Sequence, residues 1–426
     1  MNVKWFNFLV LVPTIGFSLT LQEMVVQTVD TNPLVKIEKQ KKKASEKKLR
    51  QAYGDYLPTL DILANVGVEK TTLESDVEDP DVLQKYDTSI VIKENIFQGM
   101  DTVYGVEARE AGVKSSSYRL VSEVNDLSLE AIKVYLDLLK AKDLVQVAQE
   151  NVDVHEDILK KIRKKVKAGV ERQSLYDQTL SRAEAAKSSL LYEEQNYENA
   201  LESFRRVLDI EIIDEELEEV VLEELPFSNK DVILEYALKN HPSMKYSKFD
   251  IQEARANYKK SASKYYPSVD LQLEAKFRDN INGQEGTNDV VSGLVVLNYN
   301  LYNGGTDQAL REENMHLMLE QQERLADAKS LLKKKLFIAW NNYDFALRQL
   351  VHINKHIESA KKTVKDYHKE YELGRRSLVD LLNSELEYNS AKNKYTTVHY
   401  QELQSYFELL SYSGILLEKF DIEIKY

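Results

Sequence analysis

The residues with the most evident chemical capacity are histidines. His352 and His356 stand at i and i+4, on one face of a helix, with His368 nearby. That spacing suits a zinc ion, but a zinc protease adds a glutamate between the two as general base. Here the segment reads His-Ile-Asn-Lys-His, which favours exposed helical histidines. The chain holds no cysteine, which excludes thiolate nucleophiles, thiolate metal sites, disulfides and a lipidated N-terminal cysteine. No glycine-rich loop with the lysine of a phosphate cradle follows a strand, so nothing supports ATP use. His155 falls on an apolar stripe, where a partly buried polar residue fixes helix register rather than binding anything. The expectation is a protein that is not an enzyme, with no catalytic residue, no cofactor and no metal site.

The elements that carry these residues are long helices. Thr306 to Leu373 contains no proline or glycine and stops at Gly374, so it can run unbroken for on the order of 100 Å. Leu332, Leu336, Ala339, Tyr343, Ala346, Leu350, Ile353, Ile357, Ala360, Val364, Tyr367 and Tyr371 follow a 4,3 spacing, the pattern of a coiled-coil seam. The same seam occurs earlier at Leu127, Ala131, Val134, Leu138, Ala141, Val145, Ala148, Val152, His155, Leu159, Ile162 and Val166, ending at Gly169. A shift of about 205 residues superposes the two series, which marks an internal duplication.

Ahead of each long helix the period changes from helical to alternating. Leu60, Ile62, Ala64, Val66 and Val68 alternate with Asp61, Leu63, Asn65, Gly67 and Glu69, and Thr88 to Phe97 is a second strand candidate. In the second copy Val269, Leu271, Leu273, Ala275 and Phe277 alternate with Asp270, Gln272, Glu274, Lys276 and Arg278. The loop Asp279 to Asn288 then leads to a strand with Val291, Val295, Leu297, Tyr299 and Leu301 on one face. Strands of about ten residues with one apolar and one polar face suit a lipid-facing barrel around an aqueous lumen, although the alternation alone favours a surface hairpin with one buried face. Chains with long helices and no compact core favour the barrel. Four strands cannot close one, and open edges are not tolerated in hydrocarbon, so several chains must share it.

Composition sets outer bounds. A net charge of -13 argues against a nucleic-acid partner, and the basic run Lys39 to Lys48 reads as a solvated helix face. Met1 to Lys4 is positive, Trp5 to Phe17 apolar, and Gly16 with Ser18 small, the pattern of a removed secretory signal.

Val296-Leu-Asn-Tyr-Asn-Leu-Tyr-Asn-Gly-Gly-Thr-Asp307, the long helix, and Tyr371-Glu-Leu-Gly-Arg-Arg-Ser-Leu-Val-Asp-Leu-Leu-Asn383 resemble the TolC-type outer-membrane efflux and secretion channels. The resemblance implies an α+β membrane protein: a homotrimer whose strands form one 12-stranded outer-membrane β-barrel, continuous with a periplasmic α-helical barrel. It also implies that Gly169, Ser174, Gly374, Arg375 and Ser377 mark the helix turns that dock a periplasmic adaptor. Tyr371 is similar to the family tyrosine that ties the entrance shut against an aspartate, here Asp177, and Arg376 to the arginine that makes a companion link near Tyr176. Asp380 resembles the first of two aspartates ringing the entrance; the second position holds Asn383, which implies a weaker cation gate. An ordinary reading of the same residues is a glycine C-cap and a capping or surface aspartate.

The boundaries expected are a signal at 1–18, a helix at 19–56, strands at 57–98, and a helix hairpin at 99–208 with its tip at 169. An acidic connector at 209–231, in the equatorial belt, joins the copies. The second copy has a helix at 232–265, strands at 266–303, a hairpin at 304–412 with its tip at 374, and a tail at 413–426. In the first turn the serine, Ser174, stands two residues later than Ser377 does in the second. With the Asn298 to Gly305 segment, this resembles the type I protein-secretion branch. The implied partners are an inner-membrane ABC exporter, an adaptor and outer-membrane lipid. A drug-efflux duct of the same family, and an adhesive or structural coiled-coil protein of the envelope, are the alternatives.

Overall fold

A computed structural model describes residues 20–72, 82–208 and 217–424. The signal at 1–18, the acidic loop at 74–81 and the first part of the connector lie outside the described residues. The helices are α1 (Leu21–Thr31), α2 (Pro33–Gly54), α3 (Asp101–Lys167), α4 (Gln173–Leu208), α5 (Lys230–Asn240), α6 (Pro242–Ser261), α7 (Thr306–Glu372), α8 (Leu378–Ser413) and α9 (Leu416–Lys419). The strands are β1 (Thr59–Glu69), β2 (Leu83–Gln98), β3 (Ser268–Ile281), β4 (Gln284–Thr287) and β5 (Val290–Asn298).

The duplication is visible in the helix lengths. The helices α3 and α7 each have 67 residues, and α4 and α8 each have 36. All four boundaries of one hairpin map onto the other by the shift of about 205 residues. The single helix expected at 19–56 is two, because Pro33 has no amide hydrogen and Asn32 is extended at φ -63, ψ 132. The break is held by Asn32, whose side-chain amide donates to the Val207 carbonyl at 3.1 Å. His241-Pro242 makes the equivalent break between α5 and α6.

By compactness the chain forms two units: one gathers the residues up to Lys36, Val121–His241 and Leu331–Tyr426, the other Ile37–Leu120 and Pro242–Ser330. In the first, the seam residues Leu127, Ala131, Leu138, Ala141, Ala148, Val152 and Ile162 of α3 are buried, as are Leu332, Leu336, Ala339, Ala346 and Ala360 of α7. At two points along α3 the buried residue is the neighbour of the expected one, Tyr135 in place of Val134 and Ile158 in place of Leu159. The described part of the connector is fastened to this unit by the Tyr135 hydroxyl, which donates to the Glu218 carbonyl at 2.7 Å and accepts from its amide at 2.9 Å.

The second unit contains an antiparallel sheet in the order β1-β2-β3, with β4 and β5 both paired along the far edge of β3. Its strands differ from expectation at their ends. The strand β2 begins at Leu83 rather than Thr88, because the register with β1 continues to the pair Glu69 and Leu83 and is reinforced by Lys85–Glu69 at 2.7 Å. Part of the loop expected at 279–288 is strand, turned by Asn280, Asn282 and Gly283 at positive φ. The strand β5 stops at Asn298, leaving Tyr299 and Leu301 beyond it.

Among the described residues no helix covers the apolar face of this sheet. Leu60 is 65% exposed, Val66 76% and Val295 73%, which a soluble hairpin lying on a core would not show. On the opposite face polar groups satisfy one another: Asp270 receives Asn95 at 2.7 Å and Lys93 at 3.1 Å. Among the described residues no helix is long and apolar enough to cross a membrane.

Candidate functional site

The two hairpin turns share one construction. Gly169 has φ +71 and Gly374 φ +70. In the first turn the Gly169 amide donates to the Val166 carbonyl at 3.0 Å and the Val170 amide to Lys165 at 2.9 Å; in the second, Gly374 donates to Tyr371 at 3.0 Å and Arg375 to Glu370 at 2.8 Å. These paired reversed bonds satisfy carbonyls that the helix end leaves free, and they require a left-handed residue. A Cβ on either glycine would meet nothing within 4 Å, so the requirement is conformational alone.

Both turns contain the same number of residues, 168–172 and 373–377, although Ser174 stands two residues further from its glycine than Ser377 does. Ser174 lies inside α4, whereas Ser377 is the N-cap of α8. Arg172 holds the position equivalent to Ser377. The serine offset therefore reflects a cap present in one copy only, and the turn length lends nothing to the type I reading. The Ser377 hydroxyl accepts from the Asp380 amide at 3.1 Å and donates to its carboxylate at 2.8 Å. Asp380 is half-buried; Asn383 is exposed one turn further along α8.

An apolar cluster joins the hairpins behind the turns. Ile158 and Ile162 of α3 and Leu378, Leu381 and Leu382 of α8 are buried together, with Leu175, Tyr176, Tyr367 and Tyr371 packed against them. Tyr176 and Tyr371 thus meet on one cluster. Their polar links differ from those implied by the resemblance. Within this chain the Tyr371 hydroxyl accepts from Lys165 at 3.3 Å, and that ammonium stands 4.4 Å from the ring centroid. Asp177 instead accepts from Gln173 at 3.0 Å. Arg376 donates to Glu370 at 2.9 Å and stacks 4.1 Å from the Tyr367 centroid. Arg375 is exposed.

Lys165 and Glu370 were missed by sequence reasoning although they occupy equivalent positions in the two copies. Comparing the copies position by position exposes them, because a lysine in one copy stands where the other has a glutamate. The histidines take local partners: His356 contacts Glu387 at 3.2 Å, and His368 meets the buried Glu385 at 2.8 Å. Among the described residues no group of three or more histidines and carboxylates is placed to hold a metal ion.

Two copies of a strand hairpin feeding a helix hairpin, in one sheet with uncovered apolar faces, define a TolC-type outer-membrane channel. The sequence matches the outer membrane efflux protein family over residues 25–208 and 233–414, and the chain belongs to that family, whose place is the bacterial outer membrane. It is similar to the outer membrane efflux protein BepC of Brucella suis biovar 1, 19% identical over 297 residues, which is 70% of this chain and 65% of that relative's length. In fold it is similar to the Campylobacter jejuni CmeC outer membrane channel, with a TM-score of 0.82 and 15% identity, covering 93% of this chain and 86% of that one. A membrane protein from Pseudomonas aeruginosa has a TM-score of 0.82 and 14% identity, covering 92% and 90%.

Proposed function

We propose that three copies of this chain close a 12-stranded barrel in the outer membrane, and that the complex is the passive exit duct of a tripartite export system. The observation that carries this is the sheet: four long antiparallel strands with exposed apolar side chains and two outer strands, β1 and β5, that need partners. Hydrocarbon cannot satisfy those edges, so the neighbouring copies must. The helices then continue the barrel as a periplasmic tunnel, and the turns at Gly169 and Gly374 form its entrance and the docking end for an adaptor.

At that entrance Asp380 and Asn383 project from successive turns of α8, giving one carboxylate per copy in place of two. The cargo is proposed to be an unfolded polypeptide delivered by an inner-membrane ABC exporter through the adaptor, supported by the Asn298 to Gly305 segment. Small-molecule efflux is the second reading; it gains from the efflux names of the family and of BepC. Purified protein added to a planar lipid bilayer is expected to give discrete, cation-preferring conductance steps. Absence of steps from protein shown to be folded would overturn the duct.

A further inference from the structure

In the unit of residues 37–120 and 242–330, the helices run in the same order as the strands. The Tyr53 hydroxyl donates to Glu110 at 2.7 Å, joining α2 to α3. Lys259–Glu107 at 3.0 Å, Arg119–Asp250 at 2.5 Å and stacked Tyr118 and Phe249 join α3 to α6. Arg311 donates to the Tyr258 hydroxyl at 3.2 Å, joining α6 to α7. The outer helices of this set are α2 and α7, as β1 and β5 are its outer strands.

These outer helices carry opposite charge on the sides turned away from their neighbours. On α2, Glu38, Lys42, Ser45, Leu49 and Ala52 are half-buried, while Lys39, Lys43, Lys47 and Arg50 are exposed at 4,4,3 spacing, one continuous face. Those four have no partner among the described residues. On α7, Arg311, Asn314, Met318, Gln321, Leu325 and Ala328 are half-buried, while Glu312, Glu313, Glu320 and Glu323 are exposed. Of these, Glu312 and Glu320 meet only residues one turn away on α7, Gln308 and Arg324.

The duplication supplies a register between them. The helix α7 corresponds to α3 by the shift of about 205, and α2 to α6 by a shift of about 209. Carried through both shifts, the observed Lys259–Glu107 ion pair becomes Arg50 and Glu312. The same antiparallel register sets Lys47 near Glu312 and Glu313, and Lys39 and Lys43 near Glu320 and Glu323.

We propose that the basic face of α2 and the acidic face of α7 are the two halves of an ionic seam through which successive copies of this chain recognise each other, α7 of one copy against α2 of the next. The proposal rests on the shared-barrel reading and adds to it the residues that fix which edge meets which. Each copy presents one face of each sign, so only head-to-tail association satisfies both, and such a ring closes on itself when the rotation allows. Contacts of α2 with α2, or α7 with α7, would set like charges together, and that repulsion discards wrong pairings.

The test uses the full chain extracted from the outer membrane in detergent. Because the protein has no cysteine, a variant carrying Arg50→Cys and Glu312→Cys offers one thiol on each edge. A short bis-maleimide is expected to convert it into covalent dimers and trimers on a denaturing gel, with neither single variant going beyond dimers. In a second arm, Lys39→Glu, Lys43→Glu and Lys47→Glu together are expected to raise the monomer fraction at low salt on the order of tenfold or more. Adding Glu312→Lys, Glu313→Lys and Glu320→Lys to the same chain is expected to restore assembly. An oligomeric native mass with no cross-linking, or with assembly indifferent to the reversal, would overturn the seam while leaving the shared barrel standing. A monomeric native mass of the unmodified protein would overturn both.

Discussion

Truncation of Leu382 to alanine tests what holds the hairpin tips together. Leu382 is 1% exposed and packs in the cluster with Ile158 and Ile162, which joins α3 to the start of α8 near the turns. Removing a buried leucine costs about 3 kcal/mol, the lost transfer energy plus that of the cavity left behind. The polar links at the tip compare poorly: Arg376 and Glu370 are 34% and 41% exposed, and such pairs are screened and weak. Local opening should therefore follow the cluster. At 1.4 kcal/mol per factor of ten, hydrogen exchange of amides in 378–386 should accelerate on the order of 100-fold in Leu382→Ala. Arg376→Ala should change it only slightly, and peptides over 403–410 should not respond in either variant. The assay is exchange followed by mass spectrometry on the detergent-purified protein. If Arg376→Ala accelerates the tip more than Leu382→Ala does, the polar links dominate and the reasoning fails.

Other outcomes follow from the same structure. Gly374→Ala and Gly169→Ala should each destabilise their turn by about 1–2 kcal/mol, with asparagine milder, read as faster local exchange, since only the left-handed backbone is at stake. Asp380→Ala should lower the cation preference of the open channel and fray the first turn of α8; unchanged selectivity would remove Asp380 from the entrance. Val66→Arg, on the expected lipid face of β1, should cost about 2–4 kcal/mol and reduce assembled protein, whereas Asn65→Arg on the other face should be tolerated; equal effects would refute the alternation. His241 is buried near Lys335, and burial first, then that lysine, lowers its pKa from 6.5 to about 4. The unfolded chain binds the proton first, so stability is complete above pH 6.5 and falls as pH drops from there toward 4, by up to about 3 kcal/mol. His241→Gln should flatten that slope in acid melts.

The architecture was legible because each of its parts has its own period. The 4,3 spacing from Leu332 to Tyr371 fixed a helix, the alternation from Leu60 to Val68 fixed a strand, and glycines at 169 and 374 stopped the helices where a left-handed residue is needed. What escaped depended on contacts far apart in sequence. The early start of β2 at Leu83 is set by pairing with Glu69, and the partner of Tyr371 by the relative register of α3 and α7, which brings Lys165 to the ring. Ser174 misled because a serine near a turn was counted from the glycine; only helix boundaries show that Ser377 caps and Ser174 does not. The basic run on α2 reads as a solvated helix face, and Lys39, Lys43, Lys47 and Arg50 are exposed.

The most direct test of the shared barrel is the native mass of the mature chain extracted by detergent from the outer-membrane fraction. Three chain masses in one particle is the predicted result, because four strands per chain cannot satisfy their edges in lipid. A monomer recovered from the soluble fraction would contradict it and leave a coiled-coil envelope protein as the better account.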